Sequence, residues 1–187
     1  MITVNQKLYG PLAFLIGNWS GDKGEDRAPG PQRDVENNKF KEEMHFEPIG
    51  LVDNHEQEMY GLRYRTMAWE SGDEDPFHEE LGYWLWEPAK QIALRCFVIP
   101  RGVSIIAGGI VSPTEKSFEL SAQVGSETYG ICSNTFLDQE FKTIKYELKV
   151  TFLNDHSFSY VETTHLKIKG QSELFLHTDQ NTLVRID

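Results

Sequence analysis

Alternation of apolar and polar residues dominates the second half of the chain. Tyr146, Leu148, Val150 and Phe152 fall on one face of an extended segment, with Glu147, Lys149 and Thr151 on the other. After the turn-forming run Asn154-Asp155-His156-Ser157, Phe158, Tyr160, Leu166 and Ile168 again share a face. Breakers at Pro48-Ile49-Gly50, Gly72 to Pro76, Pro88, Pro100 to Gly102 and Ser112-Pro113 punctuate the earlier part. The pattern predicts strands over 40–46, 59–69, 81–86, 92–99, 103–111, 118–124, 144–152, 158–168, 172–178 and 182–186, the last two separated by a turn at Asp179-Gln180-Asn181. Helical spacing occurs once, at Leu8, Leu12, Leu15 and Ile16, with Pro11 in the first turn and Gly17 after the end. The stretch 21–38 shows no periodicity. It holds three glycines, two prolines and eight charged residues, and is expected to be an irregular loop insertion beside the mouth of the fold. Many short strands at close spacing, with free edges to hide, imply an all-β, closed, antiparallel up-and-down barrel plugged by a short N-terminal helix.

Composition narrows the setting. The 187 residues suit one domain over 1–187. Mean hydropathy is -0.46, and no stretch reaches the ~18 apolar residues of a membrane span. Lys and Arg number 18 against 29 Asp and Glu, a net charge of -11, which argues against nucleic acid and anionic membranes as partners. The first residues lack the charged and apolar regions of a secretory signal. Two cysteines without CxxC spacing fit a reducing cytoplasm. No His pair at zinc spacing and no G-x-S-x-G occurs. Adjacent strand residues point to opposite faces, so Glu42-Glu43 and Glu79-Glu80 are not acid/base dyads; one of each should be solvated. Cys96 shares a face with Ile92, Leu94 and Val98, read as the core face. Arg95, alternating with Ala93 and Phe97, is then expected on the solvated face.

Five short stretches carry a resemblance. Gly17-Asn18-Trp19-Ser20-Gly21 forms G-x-W-x-G; Glu42-Glu43-Met44-His45-Phe46 precedes Ile49-Gly50; His78-Glu79-Glu80-Leu81-Gly82-Tyr83 forms H-x-E-x-G-Y; Ile99-Pro100-Arg101-Gly102-Val103 is a turn; and Phe158-Ser159-Tyr160 leads to Gly170-Gln171. In this order, over residues 8–186, the chain resembles the nitrobindin family of heme-binding β-barrels. The resemblance implies a closed ten-stranded barrel of the lipocalin and fatty-acid-binding-protein type. It also implies ferric heme b in the barrel mouth and an axial His on the C-terminal strand, matched here by His177. The associated chemistry is isomerisation of peroxynitrite to nitrate or binding of nitric oxide. Heme-holding members carry Tyr-Pro-Thr-Ile after G-x-W-x-G; here Asp22 to Pro29 and a longer insertion stand instead.

His177 is therefore the candidate metal ligand. Phe175 on the same face, and Trp19, are candidates for packing against the cofactor. His165 reads as solvent-facing, and His78 as a structural hydrogen-bonding residue. The alternative is a heme-free carrier or sensor of a fatty acid or similar amphiphile, its carboxylate gripped by Arg95 or Arg185. A barrel with a filled interior is a third reading. A homodimer is left open by the sequence.

Overall fold

Strands with one buried face and no free edge require a sheet that closes on itself. The computed structural model, which describes residues 5–70 and 72–186, shows that closure. The strands are β1 (Gly17–Pro29), β2 (Val35–Asp53), β3 (Glu58–Glu70), β4 (His78–Glu87), β5 (Ile92–Ile99), β6 (Val103–Ile110) and β7 (Ser117–Gln123). They continue with β8 (Ile131–Ser133), β9 (Phe141–Asn154), β10 (Ser157–Ile168) and β11 (Phe175–Arg185). Ten of them run antiparallel in sequence order around the barrel, and β11 returns to pair with β1. The expected ten-stranded barrel is what forms. The short β8 lies outside that count and pairs with β6 at Val103–Ile105, where β7 has left it. No helix among the described residues is long and apolar enough to cross a membrane.

One end is plugged by a 3-10 helix, Gln6–Leu15. It breaks at Gly10, whose φ of 52° and close approach to the Trp86 ring (2.5 Å from an added Cβ) both require glycine. Leu12 and Leu15 are fully buried, as is Trp19, whose Nε1 donates to the Leu15 carbonyl at 2.7 Å. Arg185 on β11 stacks 4.2 Å from the Trp19 ring and donates to the Phe14 and Ile16 carbonyls. The plug is thereby tied to the last strand.

Three expectations are corrected. The 21–38 stretch is not an irregular insertion. It is the end of β1, a turn at Gly30–Asp34 and the start of β2, with Glu25↔Lys39 to Pro29↔Val35 paired in register. It does flank the mouth, as paired strands. Residues 175–185 form one strand rather than two, so Asp179-Gln180-Asn181 is not a turn. On β5 the faces are exchanged: Ala93, Arg95 and Phe97 are buried, while Cys96 lies half-buried on the outside and Val98 is exposed. Both faces of β5 are apolar around Arg95, so alternation could not tell them apart. The helix α1 (Thr135–Glu140), capped by Asn134, was also not anticipated.

The anchoring of the plug makes a prediction. Arg185→Ala should lower stability by about 2–3 kcal/mol, the order expected for hydrogen bonds from a charged donor. A urea midpoint unchanged by the substitution would show that the plug is held without it.

Candidate ligand site at the polar mouth

A β-bulge sets up the end opposite the plug. Between Gly21 and Gly24 the register of β1 against β2 slips, so the inward parity passes from Trp19 and Gly21 to Gly24 and Asp26. Gly24 leaves room for the Phe40 ring, which would lie 2.5 Å from any Cβ there. Phe40 meets the half-exposed Phe77 edge-on, with ring centroids 6.2 Å apart.

Asp26 pairs in register with Asp179 on β11, and Asp179 with Glu162 on β10. Direct cross-strand neighbours have Cβ atoms about 5 Å apart, so three carboxyl groups stand in one row. Asp26 accepts at its Oδ1 from His177 Nε2 at 2.8 Å. The His177 side chain is 33% exposed and that of Asp26 only 11%. His78 stands close by, within electrostatic reach of His177, Asp26, Glu162 and Arg95, and burial holds its imidazole below the usual histidine range.

Deeper lies Arg95, 2% exposed. Its guanidinium pairs with Glu80 and Glu162 and donates to the hydroxyls of Tyr64 and Tyr146. The Phe97 ring lies 4.5 Å from it. Glu42 accepts from the Tyr160 hydroxyl at 2.9 Å and from Asn181 Nδ2 at 3.2 Å. Burial pushes the Glu42 carboxyl up to about 8, outweighing those two hydrogen bonds, and the charges of Glu80 and Glu162 add to the rise. Burial also raises Glu80, against the pull of Arg95, and raises Asp179 well above the carboxylate range, helped by Glu162, Glu42 and Asp26. In the centre a cavity of about 10 Å³, lined by residues including Trp84, Arg95 and Glu162, has the size of one water at most. Trp84 Nε1 is buried without a partner among the described residues.

The chain as a whole matches a known family. The family model for the THAP4-like, heme-binding β-barrel domain matches residues 8–185. The chain belongs to this family. No curated protein matches the chain by sequence. Among solved structures, the crystal structure of Rv2717c from M. tuberculosis is similar at 20% identity and a TM-score of 0.64, covering 94% of this chain and 95% of that one. At that identity the likeness is one of fold.

Within this barrel the candidate residues do not all meet. His177 and Phe175 sit at the mouth, Phe175 buried beneath the Arg27 guanidinium at 4.8 Å and packed with Leu166 and Ile168. Trp19 is opposite Arg185, eight positions along β11 from His177, or about 26 Å at ~3.3 Å per residue. Trp19 belongs to the plug and stands apart from His177. Arg95 and Arg185 spend their donors on the protein itself, which leaves a fatty acid's carboxylate without the anchor assigned to it. His165 is half-buried and bonded to Glu147 at 2.7 Å. Among the described residues, no group of three or more His, Cys, Asp or Glu is placed to hold a metal ion.

Sequence reasoning passed over Asp26 and Glu162, read Asp179 as a turn residue, and took Glu42 and Glu80 only as members of carboxylate pairs. A signal existed for most of them. Glu42 has the parity of Met44 and Phe46, Glu80 that of Trp84 and Trp86, Glu162 that of Phe158 and Tyr160, and Asp179 that of Leu183. A charge on the apolar parity of a strand marks a polar interior. For Asp26 the bulge broke the parity and erased the signal.

The raised carboxyls give a pH dependence with a definite sign. A folded-state value above the unfolded one means that the folded chain holds the proton longer, so stability falls as pH rises through the folded value. Between pH 6.5 and 8, above the range where His78 acts in the opposite direction, the wild-type urea midpoint should drop. The free energy of unfolding should fall by up to about 1.4 kcal/mol per pH unit for each such group. Glu42→Gln, which needs no proton, should flatten the curve; an equally steep variant would remove Glu42 from the account.

Proposed function

We propose that the barrel binds heme b at its mouth, with His177 as the axial ligand. The observation that carries this reading is the position of His177: an imidazole on the inward face of the C-terminal strand, at the rim, and one third exposed. Membership of a heme-binding barrel family supports it. The donor type fits iron, since a neutral imidazole is the common protein ligand to heme. The depth of the site is limited by packing. Arg95 with its carboxylate and tyrosine partners, and a central cavity of only about 10 Å³, leave no slot for a porphyrin within the barrel. A heme held by His177 would therefore sit at the rim of the barrel, next to the strand that buries Phe175.

When bound through one imidazole, a ferric heme supplies an open coordination position for small ligands such as nitric oxide or peroxynitrite; isomerisation of peroxynitrite to nitrate is the activity this reading assigns. The chain's own part is to present His177, to keep His78 neutral at the same mouth, and to close the interior to water with the Tyr64, Tyr146 and Arg95 layer. The free thiols Cys96 and Cys132 suit a cytoplasmic setting.

A second reading, a heme-free barrel with a filled interior, is favoured by the same buried cage. One titration separates the two. Hemin added to the apo-protein should give a Soret band at one-to-one stoichiometry, with the spectrum of a histidine-ligated iron. His177→Ala should bind more weakly and lose that spectrum while folding normally. If hemin leaves only the spectrum of non-specific adsorption, or if His177→Ala matches the wild type, the axial assignment is wrong.

A further inference from the structure

The mouth contains one contact that opposes the proposed ligation. His177 Nε2, the ring nitrogen farther from the backbone and the one that can approach a flat ligand, is hydrogen-bonded to Asp26 at 2.8 Å. The remaining nitrogen, Nδ1, lies next to the histidine's own Cβ, which would press against a porphyrin. Ligation through Nε2 therefore requires the Asp26 contact to break.

Several features hold Asp26 in place. The bulge at Gly21–Gly24 turns it inward. Arg27, the next residue, donates to the Leu176 carbonyl and stacks on Phe175, so β1 is clamped to β11 beside His177. Asp26 also stands directly opposite Asp179, with Glu162 beyond. With carboxyl groups as neighbours across the strands, the His177 N–H is the favourable partner at hand.

We propose that Asp26 is a specificity-determining latch on His177: it occupies the ligating nitrogen and sets the threshold that a ligand must exceed to enter the mouth. The latch rests on the heme reading above. It makes the mouth selective for ligands that bond the imidazole more strongly than a charged hydrogen bond does. A weakly held planar amphiphile would not open it.

The test uses hemin titrations of the full chain followed by the Soret band, on wild type, Asp26→Ala, Asp26→Asn and the double variant Asp26→Ala/His177→Ala. Removing the latch should raise hemin affinity about tenfold or more, the order expected when a charge-assisted hydrogen bond no longer competes. Asp26→Asn, which keeps a weaker acceptor, should fall between. The gain should vanish in the double variant. A readout without heme accompanies it: in the apo-protein, ¹⁵N NMR of His177 should show a proton on Nε2 in wild type and a changed tautomer balance in Asp26→Ala. Equal or lower hemin affinity in a folded Asp26→Ala protein that keeps the His177-dependent spectrum overturns the latch alone. Absence of His177-dependent binding in every variant overturns the latch together with the heme reading.

Discussion

Arg95 is the constraint around which the barrel is organised. A guanidinium is never neutral in a protein, so burying it demands compensation in charge and in hydrogen bonds. The chain supplies Glu80 and Glu162 as ion-pair partners and the Tyr64 and Tyr146 hydroxyls as further acceptors, from strands β3, β4, β9 and β10. A single side chain from β5 therefore reaches across the lumen and ties opposite walls together. Removing Arg95 would leave its carboxylate partners uncompensated in the interior, which costs more than the pair itself contributes.

The compensation overshoots. Two carboxylates surround one cation, and Glu42 and Asp179 add two more acids to the same region. Burial answers by holding protons on these groups: Glu42 keeps its proton up to about 8, and Glu80 and Asp179 are shifted the same way. The interior thus approaches neutrality by protonation rather than by further cations. The excess also reaches the rim, where Asp26 extends the row and finds its hydrogen-bond donor in His177.

How much of this could be read from the chain follows from where parity survives. Tyr146, Leu148 and Val150 alternate with exposed or half-exposed residues, and β9 and β10 were legible for that reason. The 21–38 hairpin was not legible, because one of its faces meets solvent and the other meets the polar mouth, so no apolar period marks it. Residues 179–181 looked like a turn because Asp and Asn favour turns; here Asn181 serves as a buried donor to Glu42 and Asp179 lies in the carboxyl row. Arg95 was misplaced because its neighbours on both faces are apolar. In each case the residue that misled belongs to the polar interior. His177 could be found only through the family's pattern, since nothing local distinguishes a rim histidine from a surface one.

The plugged end and the mouth divide stability and recognition between them. At the plug, Trp19, Leu12 and Leu15 are fully buried and locked by Arg185. At the mouth the His177–Asp26 bond is the polar contact that the proposed ligand would have to take over, near the neutral His78. A filled lumen between the two ends keeps a ligand from penetrating and leaves the rim as the place where chemistry can vary. Under the proposed reading, a substitution at Asp26 retunes what the mouth accepts, while Arg95 keeps its own partners Glu80, Glu162, Tyr64 and Tyr146.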